Sequence, residues 1–212
     1  MELSSVIEQL NWRMATKNFD PDRKILESDF ELLLEALRLT ASSYGLQPWK
    51  FVVVKNPEVR AKLLPASYGQ KQVVDASHLV VLCAKKSLGQ VDVNEYILQI
   101  AKTRGLKPEE LDSFKDLLNT FIGSKDQTAL KIWAVKQVYI ALGNLLTTCA
   151  ITKIDACPME GFDTSSYDQI LGLEKLGLTS VVACPLGYRL ENAPEIKNKK
   201  VRFDTNQLVV EI

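Results

Sequence analysis

The chain has 212 residues, 46% apolar and 25% charged, an ordinary globular composition with enough length for one sizeable core. Lysine plus arginine balance aspartate plus glutamate at 26 each, so no overall field draws the protein to nucleic acid or an anionic membrane, and any anion site must be local. The single histidine, His78, excludes a metal site built on several histidines, and four cysteines without a C-x-x-C pair are expected to be free buried thiols.

The opening "MELSSVIEQLNWR" carries Glu2 and Glu8 and no long apolar run, so it does not read as a secretory signal; a soluble, cytoplasmic protein is expected. Residues 4–12 have helical spacing, and Ser28-x-x-Glu31 reads as a capping box opening a helix through Leu39. "KFVVVK" and "HLVVLCA" are short buried strands, the unbroken apolar run of the second predicting cover on both faces. Helices are predicted over 91–104 and 108–121, with Pro108 in the first turn of the latter. The longest helix, 128–152, is apolar nearly all round beyond Lys136 and is expected at the buried centre. Its uncharged run, Gln137 to Thr152, falls short of the roughly 20 residues that span a bilayer. A strand near 154–157, a helix over 164–171 capped by Asp163, and the strand "TSVVACPLGY" follow. A Lys-rich extension over 191–203 leads to a terminal strand, "NQLVVEI". The layout is α+β in one domain, 1–212, with a C-terminal arm over 191–212 that invites pairing with a second subunit.

No G-x-S-x-G elbow, Walker loop or G-x-G-x-x-G is present, so hydrolase, kinase and Rossmann readings lack their fingerprints. His78 reads as a strand-end residue with a structural hydrogen bond. Elsewhere, several short stretches carry chemistry. In "RMATKNFDP", Arg13 and Lys17 stand four apart and share a face if that turn is helical, a pair suited to a phosphate. In "NKKVRF", Lys200 and Arg202 stand two apart and share a side if extended, although by itself this run reads as solvated charge. "CPMEGFD" has Pro158 fixing its entry and Gly161 permitting close backbone approach, the makings of a loop that aims N–H groups at an acceptor. In "LTASSYGLQPWKF", turn chemistry accounts for Gly45 and Pro48 but not for the serine pair.

Together "RMATKNFDP", "SSYGLQPWKFVVV", "DASHLVVLCAK", "WAVKQVYIALGNLL", "CPMEGFD" and "VRF", in that order and across nearly the whole chain, resemble the flavin-dependent nitroreductase family, in its branch of oxygen-insensitive NAD(P)H nitroreductases and dihydropteridine reductases. The resemblance implies a nitroreductase-like α+β fold: a small central sheet surrounded by helices, with the C-terminal arm and strand exchanged across a homodimer and an FMN at each interface. Arg13, Met14, Ala15, Thr16 and Lys17 would bind FMN, Arg13 at the phosphate and Lys17 near the ribityl chain and the N1–C2=O edge. Ala15 stands where the family usually has Ser. Lys200 and Arg202 match its C-terminal phosphate pair. Ala41, Ser42, Ser43 and Gly45 would close over the flavin from the partner subunit. Gly69 and Gln72 flank the pyrimidine edge, where relatives commonly carry Asn and Lys. Pro158, Met159, Glu160 and Gly161 would run along the isoalloxazine, with the Glu160 backbone N–H donating to flavin N5.

The implied activity is ping-pong transfer of hydride from NADH or NADPH through N5 to a nitroaromatic or quinone, with no metal, nucleic-acid or membrane partner. Residues 105–125 would form a helical lid, with Phe121 as a candidate substrate-lining aromatic or core residue. Reduction of a dihydropteridine or enone on the same scaffold, or a non-catalytic flavin-binding dimer, are the alternatives.

Overall fold

The computed structural model describes residues 3–212; Met1 and the Glu2 singled out above lie outside them. In chain order the elements are α1 (Leu3–Trp12), α2 (Glu27–Arg38), β1 (Trp49–Val53), α3 (Pro57–Ala66), α4 (Gln72–Asp75), β2 (His78–Lys85), α5 (Gln90–Arg104), α6 (Asp112–Gly123), α7 (Gln127–Ile151), β3 (Asp155–Ala156), α8 (Thr164–Ile170), β4 (Leu178–Gly187) and the single turn α9 (Thr205–Leu208). Among the described residues the strands form one antiparallel sheet in the order β1-β2-β4-β3.

Both faces of that sheet are covered, as the apolar run of β2 requires. Val80, Leu82 and Ala84 of β2, with Val182, Cys184 and Leu186 of β4, pack under α2, α5, α6 and α7. The alternate residues Leu79, Val81, Cys83 and Ala183 face α3, α8 and the segment around Val73. A bulge opposite Leu82/Cys83 admits one extra residue in β4 and keeps this alternation in register beyond it.

Several local expectations need correction. Helix α2 begins at Glu27 with Leu26 at its N-cap and no side-chain cap, so Ser28 and Glu31 lie inside the helix rather than forming a capping box. Pro108 opens a short 3₁₀ turn, Pro108–Leu111, and α6 proper starts at Asp112. Helix α3 is not among the elements predicted above; its Pro65 sits in the last turn, while Asn56 accepts from the N–H groups of Glu58 and Val59 to cap the start. The buried Arg60 then donates to the carbonyls of Val73, Ala76 and Ser77, fastening α3 to the turn before β2.

Helix α7 is long and apolar enough to cross a membrane by length and composition alone. Here Leu130, Ala134, Val138, Ala141 and Leu145 are buried against the sheet. It is not buried all round: Ile132, Tyr139 and Ile140 are exposed on its other side. The terminal strand is also corrected. Residues 205–208 form one helical turn, and 209–212 lie unpaired and exposed, because no strand of this chain stands beside them.

Candidate active site

The N-terminal basic segment leaves α1 as extended chain and is stitched into the end of the sheet. Ala15 bridges Ala156, Phe19 bridges Arg189, and Asp20 N–H donates to Tyr188 C=O. The fastening is electrostatic. Asp155, 3% exposed, accepts from the Thr16 hydroxyl at 2.9 Å, from Arg189 N–H at 2.9 Å and from the Arg189 guanidinium. Thr16 is fully buried, its hydroxyl spent on Asp155 and its N–H on the Ala156 carbonyl, so it belongs to the fold and is not the flavin contact expected of it.

Beside this segment the arm folds back. Arg13, Met14 and Ala15 line a cleft of about 440 Å³ together with Lys200 and Arg202. Lys200 Nζ donates to the carbonyls of Leu10 and Arg13 at 2.7 and 2.5 Å, which brings the two ends of the chain together. Burial first, then the nearby Arg13 and Arg202 charges, hold the Lys200 ammonium below its ordinary pKa. Among the described residues, Arg13, Lys17, Lys200 and Arg202 have no carboxylate partner. The cleft's own acid, Glu195, is spent on the N–H groups of Lys17 and Asn18 and on the Asn18 amide, and Arg189 is neutralised by Asp155. What remains is a net positive concavity suited to an anion.

Next to it, Lys17 Nζ lies 3.7 Å and Gln72 Nε2 3.9 Å from Cys157 Sγ, so the two expected pyrimidine-edge donors do meet. Gln72 is buried and also donates to Gln70, whereas Gly69 is exposed in left-handed backbone beside a likewise left-handed Tyr68.

The loop that follows is fixed at both ends. Met159 and Ala183 exchange N–H···O bonds at 2.8 and 3.0 Å, Cys157 N–H donates to Pro185, and Asp163 N–H donates to Ala66. Asp163 also caps α8 by accepting from Ser166 N–H, as expected. Met159 is buried in the core with its N–H and C=O both bonded to Ala183, so it anchors the loop and is not the flavin contact expected of it. Because the Met159 carbonyl is held by β4 and the peptide is trans, the Glu160 N–H on the opposite edge of that plane points away from the strand. Among the described residues the N–H groups of Glu160 and Gly161 donate to nothing, and both residues are exposed.

Ala41, Ser42, Ser43 and Gly45 do not join this cluster. Ala41, Ser42 and Gly45 line a separate recess with Tyr96, and between them Ser43 N–H donates to Gln137 of α7. Phe121 goes with them, 4.8 Å from Tyr44 and 5.2 Å from Trp133 between ring centroids. On the other side of α7, Tyr139 donates to Glu160 at 2.6 Å. Two residues along a helix are about 200° apart, so α7 stands between the two halves of the expected site.

The family model described as "Nitroreductase family" matches residues 10–188. A Staphylococcus haemolyticus protein named as an NAD(P)H nitroreductase is 41% identical over 199 residues, covering 88% of this chain and 89% of its own. The chain belongs to the nitroreductase family. It is an oxidoreductase. Among solved structures, a Bacillus subtilis nitroreductase, ydfN, superposes with a TM-score of 0.89 at 21% identity over the full length of both chains. An Exiguobacterium sibiricum nitroreductase described in complex with FMN gives 0.82 at 22%, covering 100% of this chain and 98% of that one. Both have the nitroreductase fold, and so does this chain.

Within this family member, sequence reasoning overlooked the residues that hold the site rather than line it. Asp155, Glu195, Gln70 and Tyr139 each make contacts from 21 to 178 positions away along the chain, and no local pattern marks such partners. Tyr139 sits in an apolar helical run where an aromatic reads as core. His78 is structural as expected: it stacks on Phe30 with centroids 3.9 Å apart and pairs with Ser77 Oγ, and burial lowers its pKa.

Proposed function

We propose that this nitroreductase-family chain is an FMN-dependent NAD(P)H oxidoreductase that works as a homodimer and passes electrons to nitroaromatics or quinones by a ping-pong sequence. The observation that carries the reading is the convergence of Arg13, Lys200 and Arg202, none with a carboxylate partner among the described residues, on one cleft. The donor set fits FMN end to end: cations for a phosphate, Lys17 and Gln72 for a polar ring edge, and a backbone N–H for N5. The names of the Staphylococcus haemolyticus and Exiguobacterium sibiricum relatives, one citing NAD(P)H and the other FMN, favour the same pair of cofactors.

Bound FMN would supply the redox chemistry, taking hydride at N5 from the nicotinamide and giving electrons to the second substrate. The protein's part is positional. Arg13, Lys200 and Arg202 hold the phosphate, Lys17 places positive charge at the ring edge, and the Glu160 N–H polarises N5. That division explains why no side chain in the sequence reads as a catalytic acid.

A second copy completes the site. The 41–45 segment and the Glu160 loop lie on opposite sides of α7 in one chain, so both can face one flavin only when they come from two chains. The exposed Ile132, Tyr139 and Ile140 of α7 offer an apolar face for that contact. The tail supports the same arrangement. Leu208, Val209 and Val210 are exposed, and β1 is an open sheet edge flanked by Leu34, Phe51 and Val53 on one side and Val52, Val59 and Ile170 on the other. Pairing the tail with the partner's β1 would cover both. Residues 105–125, through Phe121 against Tyr44, would then act as a lid over the partner's flavin.

The test is the visible spectrum of the purified protein, followed by anaerobic addition of NADH or NADPH and then of a quinone or nitroaromatic. A yellow protein that bleaches and regains its colour supports the activity and assigns the donor. A yellow protein that does not bleach favours a flavin-binding dimer without turnover. A colourless protein that cannot be loaded with FMN removes the reading.

A further inference from the structure

The free Glu160 N–H is held by more than the loop's own backbone. Glu160 is exposed, and its side chain is nevertheless fixed: the Tyr139 hydroxyl donates to its carboxylate at 2.6 Å. Burial first, and then the Glu160 carboxylate, push the Tyr139 phenol up to about 12, so it is a hydrogen donor at any physiological pH. The next residue is anchored too, by Gln70 Nε2 donating to the Gly161 carbonyl at 2.7 Å. Glu160 thus carries its charge next to the loop's two unpartnered N–H groups, while the loop's other acid, Asp163, is spent on capping α8, and Tyr139 decides where the Glu160 charge sits.

Without that anchor the carboxylate has two better alternatives. It can turn back and accept from the loop's own N–H groups, much as a carboxylate caps the first turn of a helix. It can also swing over the bound ring and oppose the build-up of negative charge there on reduction. We propose that Tyr139 is a positioning residue for the N5 donor: its hydroxyl pins the Glu160 carboxylate to α7, leaving the loop N–H groups free for the cofactor and keeping the charge off the ring. This rests on the FMN reading above. It adds a residue outside the binding motifs, on a helix face that sequence alone assigns to packing.

The experiment compares the FMN-loaded dimer with Y139F, E160A and the double variant, reading FMN dissociation by fluorescence and the two-electron midpoint potential by spectroelectrochemistry. Y139F is expected to weaken FMN binding about five- to tenfold. It should also lower the potential by about 30 mV, equivalent to a tenfold weaker preference for the reduced cofactor. In the E160A background the same Tyr-to-Phe change should alter neither quantity, because the group it positions is gone. Should E160A fail to fold, E160Q replaces it. Its amide carbonyl still accepts from Tyr139, so adding Y139F should then change affinity but not potential.

A Y139F protein that matches wild type in both readouts overturns the proposal. So does an equal shift in potential with and without the Glu160 carboxylate, which would make Tyr139 a packing residue only. A wild type that cannot be loaded with FMN overturns the parent reading and this one with it, whereas a loaded wild type matched by Y139F overturns this one alone.

Discussion

Arg13→Ala separates a phosphate-binding cleft from a merely basic surface. Arg13 lines the cleft with Lys200 and Arg202 and has no carboxylate partner among the described residues, so its guanidinium is free for an incoming anion. A charge-assisted hydrogen bond is worth about 1.5–3 kcal/mol. At 1.4 kcal/mol per tenfold, the Kd for FMN should rise by about 10- to 150-fold. Riboflavin has the same ring and ribityl chain without the phosphate, so its Kd should stay within about twofold if the lost interaction is the phosphate's. Raising salt from 50 to 500 mM should narrow the FMN gap between wild type and variant, since an exposed cleft is screened. Fluorescence titration of the apo-protein with both flavins measures all of this. Equal losses for FMN and riboflavin would mean that Arg13 supports the fold and not the phosphate. An unchanged FMN Kd would place the phosphate elsewhere. Lys200→Ala is the informative contrast, because Lys200 donates to the carbonyls of Leu10 and Arg13. Removing it should weaken FMN binding and also loosen the arm, visible as faster proteolysis within 191–212.

Further expectations concern stability and potential. Asp155→Ala strips the near-buried Arg189 of its counter-charge and Thr16 of its acceptor. Urea denaturation should report a loss of about 3–5 kcal/mol, against about 1 kcal/mol for Thr16→Val. A loss below 1 kcal/mol for the alanine variant would mean solvent replaces the pair. Gln72→Lys places a second cation beside Lys17, since the Lys17 ammonium and the Gln72 amide both lie near Cys157 Sγ. A unit charge about 5 Å from the ring edge at an effective dielectric of 40–80 contributes about 0.8–1.7 kcal/mol. The flavin potential should therefore rise by about 20–40 mV, and no upward shift in a redox titration would count against Lys17 and Gln72 flanking the pyrimidine. Gly45→Ala forces a side chain into backbone at φ +75°, with its Cβ 2.0 Å from the Tyr96 hydroxyl. Calorimetry should give a loss of about 1–3 kcal/mol, part of it recovered by Tyr96→Phe.

The parts of the fold that were legible in the sequence are those whose cause is local. The unbroken run Leu79–Ala84 reads as a strand covered on both faces because only such a strand is apolar at every position, and the two packed faces bear this out. Asp163 reads as a cap because its partner is three residues on. Helix α3 was illegible for the opposite reason: Pro65 vetoes it locally, while the bonds that secure it run from Arg60 to carbonyls 13 to 17 residues away. The tail reads as a strand through composition. "LVVEI" has every mark of a strand, but a strand exists only when paired, and one chain offers it no neighbour.

The candidate site follows the same division, and the cause lies in α7. Arg13 and Lys17 read as a phosphate-suited pair by type and spacing, whereas Lys200 and Arg202 read as solvated charge until the family resemblance is added; the fold brings Arg13, Lys200 and Arg202 to one cleft. What no spacing rule conveys is that Gln137 and Tyr139, neighbours on one helix, hold two different halves of the proposed site. Gln137 fixes the Ser43 turn and Tyr139 fixes the Glu160 loop, each on its own side of the helix. A helix that is apolar on every side reads as core, yet here one side is spent on the sheet and another remains exposed. If Ser43 and Glu160 are to cover one ring, as proposed, a second chain must supply one of them, and the apolar outer face of α7 would be where it docks. Dilution below the dimer dissociation constant should then release FMN and expose α7 together. FMN retained by a demonstrably monomeric protein would break that link.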